Sequence, residues 1–108
     1  MEVFGKDVAA GSIALGRGVK KITDPVLVDD FRDDRLPIRL GDWHIYSIDW
    51  RPDGIDFLLD GKIISCSSQS PDYPMQLMLN LYHLGDPYCD TDAWFDIDYV
   101  RGYRRHAP

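Results

Sequence analysis

Carboxylates are the residues of this sequence with the most chemistry to offer. The segment DIDYV sets Asp96 and Asp98 two apart, and DPYCDTD gathers Asp86, Asp90 and Asp92 in one short stretch. Alternate residues of a strand face the same side, so a spacing of two brings carboxylates together on one surface. Such groups divide acid and base roles between them or, with further oxygens, hold a hard cation. DPYCDTD has the oxygen-rich character of a calcium loop but lacks the fixed spacing of an EF-hand, so it reads as solvated. Nitrogen and sulfur chemistry is thinner. His44, His83 and His106 share no ligand spacing and read as strand or surface residues. Cys66 and Cys89 lie too far apart for a metal-ligand pair, with no second pair to complete a zinc site. They read as separate thiols, with a disulfide open to them in an oxidising compartment.

The charge balance narrows the partners. Acidic residues outnumber basic ones 18 to 12 in 108 residues, for a net charge of -6. That excess repels phosphate backbones and anionic lipid, which argues against nucleic acid and membrane surfaces and favours a neutral ligand. No apolar run approaches the roughly 20 residues of a membrane span. The opening MEVFGKDVAAGS lacks a signal-peptide pattern, so export is expected to be encoded elsewhere or absent. The length allows one domain at most.

The elements that must carry these residues are strands. In WHIYSIDW, His44, Tyr46, Ile48 and Trp50 share one face and Ser47 and Asp49 the other; in GIDFLLDG, Ile55, Phe57 and Leu59 oppose Asp56 and Asp60. RPDG pauses the chain between them, and Asp60-Gly61 supplies a two-residue hairpin turn into KIISCS. Residues 43–66 are therefore expected to form a three-stranded meander. Two further strands are expected. PMQLMLNLY, over 74–82, sets Met75, Leu77, Leu79 and Leu81 against Gln76, Met78, Asn80 and Tyr82, and AWFDIDYVRGYRR, over 93–105, turns Phe95, Ile97 and Tyr99 inward. MEVFG and GSIALGRGVKKI read as short strands, and TDPVLVDDFRDDRLPIRLGD as a long acidic connection. Short strands, meander connections and no helix point to an all-β chain, an antiparallel β-sandwich. Trp43, Trp50 and Trp94 are expected in the core or at its rim.

The string WHIYSIDWRPDGIDFLLDGK, followed by PMQLMLNLY and FDIDYVRGY, resembles glycoside hydrolase family 16. That family orders a His-Thr-Tyr strand, a Trp-x-Pro-Asp turn, an Asp-Gly turn, a Met-Asn-Leu-Trp strand and a closing Asp-Tyr-Val strand in the same way. A legume-lectin-like sandwich shares the architecture but not this set of motifs. The resemblance implies a concanavalin A-like jelly roll, of which residues 1–108 would be the C-terminal half. Residues 41–105 match well, and 1–40 are a less defined connection with short strands.

Its functional implications follow residue by residue. The family's chemistry sits on a Glu-x-Asp-x-Glu strand, and MEVFG matches its end. Glu2 is then the candidate acid/base, and the nucleophilic Glu and its assisting Asp would precede Met1. Asn80 and Tyr82 match the Asn and aromatic of the Met-Asn-Leu-Trp strand and imply sugar contacts; Gln76 on the same face and Trp94 beside the loop join them. Asp98 matches an aspartate that binds structural calcium in many members; no other cofactor is implied. The implied partner is a β-linked polysaccharide or oligosaccharide, cleaved with retention by two carboxylates, with the isolated chain inactive and inclined to self-associate or to pair with an N-terminal half. The parent family is secreted or sits in the cell envelope. Two other readings stand beside this one: a lectin-like sugar binder without catalysis, and a self-associating β-scaffold.

Overall fold

The computed structural model describes residues 1–4, 11–21, 25–81 and 93–106. It is all-β, with six strands: β1 (Glu2–Phe4), β2 (Ile13–Val19), β3 (Asp30–Leu36), β4 (Tyr46–Arg51), β5 (Gly54–Leu59) and β6 (Lys62–Ser67). They make two antiparallel three-stranded sheets, ordered β1-β2-β3 and β4-β5-β6. Both belong to a unit spanning Met1–Pro74, and Met75–Pro108 forms a second unit.

The second sheet is the expected meander. β4 and β5 meet in register from Tyr46↔Leu59 to Arg51↔Gly54, leaving Pro52 and Asp53 as the turn. β5 turns into β6 through Asp60 (φ 49°) and Gly61 (φ 79°), two consecutive left-handed residues. That pairing gives the turn the twist of the flanking strands, and Asp and Gly tolerate it where most residues do not. Pairing puts Tyr46, Ile48 and Trp50 on the same face as Leu59, Phe57 and Ile55. The β5 members of these pairs are buried, whereas the β4 members are 41%, 53% and 46% exposed. β4 is an edge strand whose apolar row reaches past the core.

The core lies between the sheets. On β2 the inward row is Ile13, Leu15, Arg17 and Val19, all buried, and Val19 clusters with Leu27, Ile55 and Phe57, flanked by Met1, Ile64 and Tyr73. Phe57, Ile13 and Leu15 are the largest side chains fully enclosed. Polar bonds tie the layers at one end: Ser67 Oγ donates to Asp30 Oδ2 at 3.2 Å and the Val28 N–H to Gln69 Oε1 at 2.7 Å.

Two expectations need correction. The acidic connection contains a full strand, β3, whose seven residues pair with all of β2. Its sequence, DFRDDRL, has no apolar alternation because its stabilisation is ionic as well as hydrogen-bonded. Arg17 reaches Asp34 at 2.9 Å, and Arg32, directly opposite Arg17, is drawn to Asp30 at 3.2 Å. The second correction concerns 74–82 and 93–105, whose described residues form no strand. Met75, Leu77, Leu79, Phe95, Ile97 and Tyr99 are each about half exposed or more. Alternation marks which residues share a face, but a strand also needs a neighbour for its N–H and C=O groups. Among the described residues of that unit, no ladder supplies one.

Candidate functional site

The first sheet has one face in the core and one face open, and strand alternation decides which residues reach the open one. Register places Glu2, Gly16 and Asp33 in one row across the three strands, with Phe4, Ala14 and Arg35 in the next and Gly18 and Phe31 beyond. All face away from Ile13, Leu15 and Val19. Glu2, Phe4 and Phe31 are half-buried, and Asp33 and Arg35 exposed. Glu2 is thus on a surface that a ligand can reach.

The middle of this face is glycine for a steric reason. A Cβ on Gly16 would lie 2.5 Å from Phe31 Cζ and 2.8 Å from Phe4 Cε2. The two rings therefore close directly over the β2 backbone, giving a low apolar floor between Glu2 and Asp33. The Lys20 ammonium stands 4.6 Å from the Phe31 ring centre, in cation–π range. Carboxylates, a guanidinium and aromatic rings at one level can hydrogen-bond hydroxyls while packing on an apolar ligand face. Asp33, Arg35 and Phe31 lay hidden in the segment read as a connection. The available signal was the charge alternation of β3, legible only against Arg17 on its partner.

Of the other candidates, Gln76 and Asn80 are exposed in the second unit, as are Trp94 (76%) and Asp98. Tyr82 lies outside the described residues, as do His83, Cys89 and the three aspartates of DPYCDTD. Glu2 belongs to the first unit and the rest of the described set to the second. Among the described residues no group of three or more His, Cys, Asp or Glu is placed to hold a metal. Asp98 alone does not make the six to eight oxygens that calcium takes. Cys66 is an exposed thiol on β6. Trp43 and Trp50 are rim rather than core, at 68% and 46% exposure.

Two polar clusters elsewhere are structural. Asp49 and Asp56 face each other across β4 and β5, and Arg51 Nη1 donates to both, at 2.9 and 2.7 Å. The guanidinium occupies a carboxylate pair that would otherwise invite an acid/base reading, and the two bonds push its own pKa further up. Nearby, an open groove of about 400 Å³ is lined by Trp50, Pro52, Pro71, Asp72 and Tyr73. The Trp50 indole N–H is committed to Ser70 Oγ at 2.8 Å and the Pro71 carbonyl at 2.9 Å.

The second cluster clamps the β5–β6 turn. Asp60 accepts from the Ile45 N–H at 2.9 Å and from His44 Nδ1 at 2.7 Å, and its own N–H donates to the Ile45 carbonyl at 2.8 Å. The Ile45 bond and then His44 hold the Asp60 carboxyl below its ordinary value of 3.8. A depressed carboxylate adds stability above its unfolded pKa, and that part is lost as pH falls through the folded value. Acidification below about pH 4 is therefore expected to lower the wild-type unfolding midpoint more steeply than that of Asp60→Asn, which keeps a residue tolerant of positive φ but carries no titrating group. Parallel curves in urea titrations across pH 2–7 would show that the clamp is not charge-dependent.

A sequence model of Glycosyl hydrolases family 16 matches residues 37–101. Among curated proteins, a beta-glucanase of Acetivibrio thermocellus is 32% identical over 79 residues, an alignment taking in 62% of this chain and 22% of the relative. A second beta-glucanase from Acetivibrio thermocellus aligns with the same identity and coverage. The chain thus spans less than a quarter of the length of these relatives. No solved structure gives a significant match.

Proposed function

The chain belongs to Glycosyl hydrolases family 16, and from that premise we propose that it binds a β-linked polysaccharide, a β-glucan first, and contributes an acid/base carboxyl to its hydrolysis. The observation that carries this reading is the position of Glu2 on the open face of the first sheet, while the opposite face is core. In retaining cleavage the protonated carboxyl of such a residue delivers its proton to the glycosidic oxygen, and the carboxylate then takes one from water. Gln76 and Asn80 offer amides that both donate to and accept from sugar hydroxyls, and Tyr82 and Trp94 offer rings for the apolar face of a pyranose. The similarity to beta-glucanases supports a glucan over other polymers.

The test is retention. The purified chain is run through gels containing laminarin, mixed-linkage glucan, agarose or carrageenan, with starch as the α-linked control. Slowed migration in the β-glucans is expected, with a dissociation constant on the order of millimolar, since a few sugar contacts leave little after the cost of association. Equal mobility in every gel would sink the glycan reading.

A further inference from the structure

The edges of the two described sheets are β1, β3, β4 and β6. An edge strand presents a row of unpaired N–H and C=O groups to any other chain, and short length, charge on both faces, lysine or a bulge blunts it. β1 has three residues, and β3, DFRDDRL, is charged on both faces. β6 opens on Lys62 and carries an extra residue at Ile64, where its register with β5 shifts. β4, YSIDWR, has none of these: it is six residues long, in unbroken register with β5, and apolar on one whole face. We propose that β4 is a dimerisation edge, on which two copies of the chain pair antiparallel about a twofold axis at Ile48 and join their three-stranded sheets into one.

Three observations choose the occupant and its register. The first is the phase of the backbone. The Asp60 N–H donates to the Ile45 carbonyl, one step beyond the Tyr46↔Leu59 pair. Hydrogen-bonded pairs alternate along an antiparallel ladder, so Ser47, Asp49 and Arg51 bond to β5 while Tyr46, Ile48 and Trp50 turn their N–H and C=O groups to the open edge. No described residue hydrogen-bonds those groups. A twofold at Ile48 sets Tyr46 opposite Trp50 of the partner subunit and Ile48 opposite Ile48 of the partner subunit, so all three outward residues find ladder partners at once. The second observation is charge. In that register Ser47 faces the partner's Asp49, and a hydroxyl donates to a carboxylate. Asp49 is already held by Arg51 at 2.9 Å, which leaves it an acceptor while cancelling its charge. A twofold one residue further on, at Asp49, would set two carboxylates directly opposite, which is destabilising. The third is the apolar row. Tyr46, Ile48 and Trp50 are half exposed beside buried Leu59, Phe57 and Ile55. Pairing β4 with its copy continues that row across the axis and sets a tyrosine ring beside a tryptophan, a favourable cross-strand pair.

Two six-residue strands bury less than the roughly 1,200 Å² of a stable complex, so the dissociation constant is expected on the order of 10–100 μM and the chain is monomeric in dilute solution. The experiment is sedimentation velocity on the full 108-residue chain from about 1 to 500 μM, with amide exchange measured at both ends of that range. Dimer is expected to accumulate with concentration, and protection of the Tyr46, Ile48 and Trp50 amides to rise with it. Ile48→Lys, a change at a half-exposed position, sets two ammonium groups opposite each other and is expected to weaken the dimer at least tenfold with the dilute monomer still folded. Ser47→Asp, which faces the partner's Asp49, is expected to weaken it as well, whereas Ile63→Lys on exposed β6 is not. A chain that stays monomeric at 500 μM, or a dimer indifferent to Ile48→Lys and Ser47→Asp, would overturn the proposal. So would Tyr46, Ile48 and Trp50 amides already protected in the dilute monomer, since another segment of the same chain would then lie on β4.

Discussion

Replacing Phe57 with alanine is expected to remove about 3–5 kcal/mol of folding stability, the usual cost of emptying a phenylalanine site in a core. Phe57 is 2% exposed, lies at the centre of β5, and joins Val19, Leu27 and Ile55 in the cluster between the two sheets. A small domain holds only about 5–15 kcal/mol in total, so the variant should be largely unfolded under mild denaturant. The control sits directly opposite. Ile48 pairs with Phe57 across the ladder and shares its face, but is 53% exposed. Truncating it to alanine should stay within about 0.5 kcal/mol, as for other exposed positions. Urea unfolding followed by tryptophan fluorescence measures both. Equal losses would mean that the apolar row of β4 is as well covered as that of β5, contrary to the exposure of Ile48.

The second large effect is on turnover. These 108 residues, incubated with laminarin or mixed-linkage glucan, are expected to release no new reducing ends above a heat-treated control. Retaining hydrolysis takes two carboxyl groups about 5–5.5 Å apart. On the face of Glu2 the described strands offer Asp33, whose backbone stands about 9.5 Å away. That is a spacing across two strands, not the alternate-residue spacing along one strand that puts paired carboxylates side by side. The pair Asp49 and Asp56 is close enough, but Arg51 bridges it. Turnover that vanishes in Glu2→Gln would show that a working pair exists within these residues. Its loss in Asp33→Asn as well would name the partner.

Much of this architecture is legible without coordinates. Period-two alternation in β4 and β5 gives both the strands and their faces, and Asp60-Gly61 gives the turn and its handedness, because these signals are local and each is written within a few residues. Glu2 is singled out by the resemblance of MEVFG to the end of a carboxylate strand, and it lies on strand β1. β3 is not legible. DFRDDRL has charge on both faces, and its strand character depends on Arg17 and on the full-length ladder with β2, neither of which is a property of its own residues. The opposite failure occurs at 74–82 and 93–105, where the alternation is clear but the described residues find no ladder.

The sequence by itself determined what each residue prefers: which stretches extend, which side chains share a face, where the chain turns, and which family the motifs belong to. Only the tertiary structure decided who sits beside whom. It brought Asp33 into the row of Glu2, closed two phenylalanine rings over Gly16, committed Asp49 and Asp56 to Arg51, and left the β4 row half in solvent. The reason is that backbone alternation acts over neighbouring residues, whereas strand pairing, ring contacts and ion pairs join positions up to some forty residues apart. Those contacts form only when the whole sheet has chosen its partners.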